Sequence, residues 1–212
     1  MLAGVNFVGQ TEYLSALGGT ERTAMMLLGQ DDRGRWLRVA LAITHVPLKL
    51  VSERLTAEKI ELAIELASQA CQDLGLSRAR VGVCGLNPHA GESGKLGREE
   101  IDIIAPAVQE LNSSLVTRLS SLVFTGPISP DTVFYRATEG EFNAVLCMYH
   151  DQGLIPLKLH AFHHGVNGTL GLPFPRTSPD HGTAFDIAGK GIAKADSMIA
   201  AINLAVELAS GA

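Results

Sequence analysis

An apolar run at residues 143–148 is followed at once by Tyr149, His150 and Asp151. A short run with apolar residues on both faces predicts a strand that is buried on both sides, as in the parallel sheets of α/β proteins. Such sheets bind ligands beyond the carboxyl ends of their strands. The run therefore predicts a site beside His150 and Asp151.

Further strands and helices alternate along the chain. Apolar runs predict strands, of which the first two form a hairpin, at residues 25–28, 36–43, 80–86 and 122–125. Helical spacing predicts helices at residues 57–74, 99–111, 132–137 and 195–209. Thr56 is placed to cap the first of these helices and Gly75 to end it. This alternation predicts an α/β fold with a largely parallel central sheet, in one or two lobes.

Composition limits the functional classes. A formal net charge of -5 and the lack of a basic run argue against a nucleic-acid partner. We see neither an apolar run of membrane-spanning length nor a signal-peptide pattern, so we expect a cytoplasmic protein without a membrane partner. Cys71, Cys84 and Cys147 lie in apolar patterns and form no Cys-x-x-Cys pair, which predicts buried, reduced thiols.

Three histidines each follow a predicted strand: His45, His89 and His150. One such histidine is more often a structural hydrogen-bonding residue than a metal ligand. When three histidines each follow a strand, a shared site and coincidence are about equally plausible explanations. Three neutral imidazoles suit a zinc-like ion that keeps an open coordination position. The adjacent His163 and His164 are a rival pair, but neighbours in an extended segment point to opposite faces. We expect that pair in a solvated loop.

Carboxylates and anion-binding groups surround these histidines in the sequence. Asp131 and Asp151 are candidate acid–base residues, with a helix N-cap and a strand-end turn as their respective structural alternatives. Lys158, Asn167 and Arg176 are spaced without helical or strand period, and alone they are ordinary surface residues. Beside the histidines, these three groups are suited to holding a phosphate or a carboxylate.

The segment at residues 181–191 is rich in glycine. It contains no Gly-x-Gly-x-x-Gly after a strand, so a Rossmann-type pyrophosphate turn is not supported. Its glycines either form plain turns or let a flat ligand such as a nucleotide approach the backbone closely.

Three motifs occur in order: Leu-Asn-Pro-His-Ala-Gly-Glu at residues 86–92, Tyr-His-Asp-Gln-Gly at 149–153 and Gly-Leu-Pro-Phe-Pro-Arg-Thr-Ser at 171–178. With them the chain resembles, from about residue 3 to its end, the 4-hydroxythreonine-4-phosphate dehydrogenase (PdxA) family of pyridoxal phosphate biosynthesis. Residues 181–191 also look like the adenosine-binding loop of isocitrate and isopropylmalate dehydrogenases, whose fold that family shares.

The resemblance implies a three-layer α/β/α fold of the isocitrate/isopropylmalate dehydrogenase-like type, in two lobes. The family's N-terminal segment, with its Gly-Asp-Pro and Thr-Gly-Pro motifs, has no counterpart here, so we expect the first lobe to be incomplete. The expected division places a central dimerisation lobe at roughly residues 20–140. Residues 141–212 and 1–19 are expected to form the remainder of the other lobe.

The resemblance also assigns roles to single residues. It implies divalent-metal ligands, drawn from both subunits of a homodimer, at His45, His89 and His150. It implies acidic residues near the metal at Asp131 and Asp151, and substrate-binding positions at Gln10, Thr11, Lys158, Asn167 and Arg176. It implies adenosine contacts at His181, Gly182, Thr183, Ala184 and Asp186. Gln10 departs from the family, which usually has a substrate-contacting histidine there; glutamine donates a hydrogen bond but carries no charge.

The implied reaction is oxidation of a secondary alcohol by NAD or NADP, followed by decarboxylation, with zinc, magnesium or cobalt as the metal. Asp151 or a metal-bound water is the expected proton acceptor. Relatives that act on 4-phosphothreonate or on a dihydrodiol carboxylate are an alternative within the same class. Two others remain open: an inactive fragment or dimerisation module, and a metal-dependent hydrolase, which three histidines also suit.

Overall fold

The computed structural model describes residues 10–114 and 122–210. Residues 1–9 and 211–212, which the expected lobe division includes, lie outside this range, as do residues 115–121. The strands within the described residues are β1 (Ala24–Gln30), β2 (Trp36–Leu41), β3 (Ala79–Cys84), β4 (Leu122–Ile128), β5 (Ala144–Cys147), β6 (Val166–Leu170) and β7 (Thr177–Pro179). The α-helices there are α1 (Gln10–Leu17), α2 (Val51–Arg54), α3 (Ala57–Asp73), α4 (Ala105–Ser114), α5 (Pro130–Thr138), α6 (His150–Ala161) and α7 (Asp196–Ser210).

These strands form one sheet in the order β4-β3-β5-β2-β1-β6-β7. Strands β4, β3, β5 and β2 are parallel to one another. Strand β1 is antiparallel to both β2 and β6, and β7 is antiparallel to β6. Strand β6 therefore runs in the same direction as β2. The predicted hairpin is confirmed as β1 and β2. The predicted α/β sheet is confirmed too: four adjacent strands are parallel, and the antiparallel pairs at the other end make the whole sheet mixed.

Helices cover both faces of the sheet. On one face α3 and α4 bury side chains such as Ile64 and Val108, and α7 adds Leu204 beside them. On the other face α5 and α6 bury Val133 and Leu157. The predicted three-layer arrangement is confirmed. Strand β5 lies between the two helical layers, and all four of its residues are buried.

Local signals in the sequence account for several boundaries. The Thr56 hydroxyl accepts the Lys59 N–H at 3.4 Å at the start of α3, as predicted from its capping position. Gly75, just beyond the end of that helix, has a φ of +75°, a left-handed conformation that favours glycine. The three cysteines are buried and free, as predicted. Among the described residues, no helix combines the length and the apolar character needed to cross a membrane.

Helix α6 is the main element that the sequence analysis missed. It contains Gly153 and Pro156, which both disfavour helix interiors, so its sequence shows little helical signal. Packing against the sheet stabilises the helix despite them, since Leu154 and Leu157 are buried. The short strands β6 and β7 and the helix α1 were missed as well.

The helix predicted at residues 99–111 begins differently in the structure. A π-helical turn occupies Glu100–Ile104, and α4 continues from Ala105. A π turn has wider spacing than an α-helix, so the periodicity of the sequence did not reveal it. The predicted short helix at residues 132–137 is confirmed as α5, which is somewhat longer.

Candidate active site

Four neighbouring parallel strands deliver candidate residues to one edge of the sheet. His45 follows β2, His150 follows β5, His89 follows β3 and Asp131 follows β4. Because these strands are adjacent and point the same way, their carboxyl ends lie along a common edge. This is the position where open α/β sheets bind ligands.

His45 and His150 approach each other directly. Their ring centroids are 5.3 Å apart, with the ring planes inclined at 46°. A cavity of about 290 Å³ opens beside them and is lined by Thr44, His45, Val46, Leu48, Val51, Tyr149, His150 and Asp151. Imidazole nitrogens bind zinc at about 2.0–2.1 Å, so rings at this separation are able to share one ion. The pair fits two positions of a divalent-metal site.

His150 is the first residue of α6, and Tyr149 before it is extended. The His150 Nδ1 lies 2.7 Å from Asp151 Oδ1, a contact that holds the ring and leaves Nε2 available to a ligand. Asp151 lies in the first turn of this helix rather than in the strand-end turn that was its structural alternative. Burial raises the pKa of the Tyr149 phenol, and this residue lines the cavity beside the pair.

His89 stands apart on an unusual turn. Residues 89–93 all have left-handed backbone angles, and for a residue other than glycine each such conformation costs roughly 1–2 kcal/mol. The His89 side chain is 68% exposed, and its Nδ1 lies 3.5 Å from Glu92 Oε1. Within the described residues, no three His, Cys, Asp or Glu side chains are grouped so as to hold a metal ion. His89 therefore does not join His45 and His150 within one chain.

Asp131 has a local role in the structure. Its Oδ1 accepts a hydrogen bond from the Ser129 hydroxyl at 2.6 Å, in the first turn of α5. Ser129, rather than Asp131, occupies the N-cap position of that helix. Asp131 is exposed at the same sheet edge as the histidines.

Arg176 is fixed from two sides. Its Nη1 donates to the Thr169 hydroxyl at 2.9 Å, and its Nη2 donates to Gln10 Oε1 at 3.0 Å. Burial lowers the pKa of the Arg176 guanidinium. Gln10 thus uses its carbonyl oxygen to hold the arginine at the start of α1, next to Thr11.

A smaller cavity lies between Thr11 and His45. It has a volume of about 170 Å³ and is lined by Thr11, Thr23, Ala24, Met25, Leu41, Ala42, Thr44 and His45. His45 lines both cavities, and Gln10 links Thr11 to Arg176. Arg176 itself lines a separate cavity of about 380 Å³, together with Pro173 and Leu204. The histidine pair is therefore connected to this partly buried cation through Thr11 and Gln10.

Lys158 and Asn167 are placed differently from Arg176. Lys158 Nζ donates to the Asp180 carbonyl at 3.0 Å and lies 3.2 Å from the Asp180 carboxylate. Arg176 precedes β7 whereas Asp180 follows it, so Lys158 and Arg176 bind at opposite ends of that strand. Asn167 lies on β6, and its Oδ1 is buried without a hydrogen-bond partner among the described residues. The binding of one anion by Lys158, Asn167 and Arg176 together stays a prediction.

The predicted adenosine-binding residues follow β7 in an irregular segment of turns. His181 Nδ1 lies 2.9 Å from the Gly182 carbonyl, and Ala184 has a φ of 47°. The side chains of His181, Thr183 and Asp186 are exposed, and so is Gly182. The turns fit the simpler interpretation of the glycines, and the binding of a nucleotide along this segment stays a prediction.

Two buried polar side chains behind the histidines were not assigned roles from the sequence. Gln152 accepts the Met148 N–H at 2.6 Å and donates to the Gly85 carbonyl at 2.8 Å, which ties the ends of β5 and β3 together. Glu100 accepts hydrogen bonds from the segment before His89. The signal in the sequence was the position of Gln152 inside the motif at residues 149–153.

Comparisons with known proteins show the family of the chain. The family model described as pyridoxal phosphate biosynthetic protein PdxA matches residues 1–205. A 4-hydroxythreonine-4-phosphate dehydrogenase from Synechocystis sp. is 48% identical over 216 residues, which cover 97% of this chain and 61% of that relative. The chain spans about three fifths of the length of the curated relatives it matches.

Solved structures give the same result. A 4-hydroxythreonine-4-phosphate dehydrogenase from Klebsiella pneumoniae is 46% identical with a TM-score of 0.83, covering 98% of this chain and 60% of that one. A terephthalate 1,2-cis-dihydrodiol dehydrogenase from Burkholderia xenovorans LB400 is 31% identical with a TM-score of 0.73, covering 94% and 61%. The chain therefore belongs to the family of the pyridoxal phosphate biosynthetic protein PdxA.

Proposed function

We propose that this chain acts in a metal-dependent, NAD- or NADP-linked dehydrogenase that oxidises and decarboxylates 4-hydroxythreonine-4-phosphate. The proposal rests on the His45–His150 pair, to which Arg176 is connected through Gln10 and Thr11, in a chain whose relatives bear that enzyme's name. These residues offer a pair of metal ligands and a cation that suits a phosphate or carboxylate.

His45 and His150 would hold the metal, and His89 of a second copy would complete the set. A divalent ion there would act as a Lewis acid on the substrate's alcohol oxygen. Imidazole ligands favour zinc or cobalt over magnesium. Asp151 orients His150 and, at 72% side-chain exposure, is accessible to accept the alcohol proton.

A homodimer with a shared site is supported by the outer face of α6. Ile155, Leu159 and Phe162 are 67%, 90% and 69% exposed, and their spacing aligns them on one side of the helix that begins at His150. Asp151, 72% exposed, is on the same side one turn before Ile155, so a second copy covering this side would approach Asp151 and the cavity that it lines. Leu48, 69% exposed, adds an apolar surface in the lobe assigned to residues 20–140, so the proposed interface draws on both lobes.

The substrate's charged ends would be held by the cationic and amide groups. Arg176 would bind one anionic group together with Gln10 and Thr11, while Lys158 and Asn167 would bind the other end. Fixing both ends lowers the entropic barrier to reaction. The adenosine of NAD or NADP would lie along residues 181–186, and we place the enzyme in the cytoplasm.

A dihydrodiol carboxylate is the second candidate substrate. The relative named as a terephthalate dihydrodiol dehydrogenase supports it, as does Gln10, which is uncharged. A 4-phosphothreonate substrate retains the phosphate and would need Arg176 equally.

NADH or NADPH formation with the zinc-loaded chain tests the proposal. We expect turnover of 4-hydroxythreonine-4-phosphate in preference to 4-phosphothreonate and a terephthalate dihydrodiol, and its loss in His150→Ala. The exposed His164→Ala is the matched control. Preference for another substrate would support the corresponding alternative. Failure of the chain to bind NAD, NADP or any of the three compounds would contradict the proposal.

A further inference from the structure

The turn that carries His89 has an unfavourable backbone conformation. Residues 89–93 follow one another in left-handed conformations, and only Gly91 among them is a glycine. L-amino acids avoid this conformation because Cβ crowds the backbone. Such a turn persists only where the surrounding structure holds it.

Glu100 is the buried group that holds the base of this turn. Glu100 is only 3% exposed. Its Oε1 accepts hydrogen bonds from the backbone N–H groups of Leu86 and Asn87, both at 2.7 Å. Its Oε2 accepts the Asn87 side-chain amide at 3.0 Å. All three hydrogen bonds therefore end on the two residues that lead into Pro88 and His89. Hydrogen bonds to a charged acceptor are the stronger kind.

The turn also packs directly on the carboxylate. A Cβ added to Gly91 would lie 2.6 Å from Glu100 Oε2, and one added to Gly85 would lie 3.1 Å from Oε1. The same Gly85 position would lie 3.0 Å from the Ala90 Cα. The turn, the strand end before it and the carboxylate thus leave no room for a side chain between them.

Two other contacts fix the ends of this arrangement. Gln152, in the first turn of the helix that begins with His150, donates to the Gly85 carbonyl. Asn87 also donates to Glu99 Oε2 at 2.7 Å. Glu100 itself opens the π-helical turn, an irregularity that is frequent at functional sites.

We propose that Glu100 is a positioning residue that holds the left-handed turn and so fixes the place of His89. The inference rests on the proposed function for the role of His89 as a metal ligand. The buried carboxylate acts through the backbone N–H groups of Leu86 and Asn87.

The test compares Glu100→Ala, Glu100→Gln and the exposed Glu110→Ala as a control for removing a glutamate from the same region. Hydrogen exchange of the Leu86 and Asn87 amides measures whether their hydrogen bonds to Glu100 hold. Thermal unfolding measures global stability, and titration with zinc measures the affinity of the proposed metal site. We expect Glu100→Ala to speed exchange of these two amides at least about tenfold, with weaker zinc binding. Glu100→Gln keeps an acceptor oxygen and should retain most of the amide protection and most of the zinc affinity. Glu110→Ala should change neither the exchange rates nor the zinc affinity.

Unchanged exchange at Leu86 and Asn87 in Glu100→Ala would overturn the proposal. So would equal loss of protection throughout the chain in both Glu100 variants, because that result would make the carboxylate a general stability element. His89→Ala is titrated alongside. If it binds zinc as tightly as the unchanged protein, the proposed ligand set is wrong, and the exchange rates at the turn then decide alone whether Glu100 holds it.

Discussion

The imidazole rings of His45 and His150 lie 5.3 Å apart, one following β2 and the other following the adjacent parallel strand β5. Their meeting depends on the pairing of Leu41 with Cys147, which brings the two strand ends level. His89 follows the next strand in the sheet yet remains outside this pair in one chain. A metal site with all three histidines would therefore need His89 from a second copy of the chain.

Asp151 is expected to matter more than Asp131. Replacing Asp151 with Asn removes the carboxylate that orients His150, so we expect zinc affinity to fall by roughly 10–100-fold and turnover to fall with it. Asp131→Asn is the matched control, since Asp131 contacts Ser129 rather than a histidine. Zinc titration and NADH formation measure the two effects. If neither variant slows turnover, neither carboxylate is the proton acceptor.

Arg176 is expected to bind an anionic group of the substrate. Arg176→Lys keeps the charge but loses the planar fork that binds Thr169 and Gln10, so KM should rise roughly tenfold to a hundredfold. The change in kcat should be smaller. Arg22→Lys, at a surface ion pair with Glu65, is the control. An unchanged KM in Arg176→Lys would remove Arg176 from the proposed substrate site.

Gly153 allows α6 to lie close to the sheet. A Cβ at this position would lie 2.3 Å from Val39 Cγ1 and 3.1 Å from Cys147 Sγ. We expect Gly153→Ala to lower the free energy of unfolding by about 1–3 kcal/mol, although alanine favours a helix. Gly182→Ala, whose added Cβ meets nothing within 4 Å, should change it by less than about 0.5 kcal/mol. Urea unfolding of the two variants provides the comparison, and equal stabilities would contradict the close packing.

The hairpin turn between β1 and β2 should show a defined acid dependence. Partial burial alone would raise the pKa of Asp31, but hydrogen bonds from Arg35 and Arg33 lower it from 3.8 to about 2. Because the folded-state pKa is the lower one, the stabilising contribution is complete above 3.8 and is lost as the pH falls towards 2. The stability advantage over Asp31→Asn should therefore shrink across that interval.

Carboxyl chemical shifts of Asp31, followed by NMR during acid titration, measure this directly. Arg35→Gln removes the side-chain hydrogen bond at 2.8 Å and should move the midpoint upwards. A midpoint at or above 3.8 in the unchanged protein would contradict the role of the turn.

The sequence was sufficient for elements whose signals are local. The apolar run at β5, the capping residue Thr56 and the polar joint between β1 and β2 each predicted what the structure contains. The positions of His45, His89 and His150 after strands were predicted in the same way. Parallel neighbours then bring those strand ends to one edge.

Other features depend on contacts between distant residues. Helix α6 contains Gly153 and Pro156 and is stabilised by packing that periodicity does not reveal. The pairing of Lys158 with Asp180 joins α6 to the end of β7, a strand too short to recognise in the sequence. Glu100 gains its role from backbone N–H groups that the sequence does not display.

We propose that two copies of the chain build each metal site, a proposal that mixing two inactive variants tests. His89→Ala and His150→Ala should each lose zinc, whereas unfolding and refolding an equal mixture should restore about a quarter of the unchanged protein's zinc. Half of the dimers are mixed, and each mixed dimer has one intact site out of two. In that site the His89→Ala chain supplies His45 and His150, and the His150→Ala chain supplies His89. Zinc content per chain, measured before and after mixing, is the deciding quantity. No recovery on mixing, or full zinc content in His89→Ala alone, would contradict a site shared between two copies.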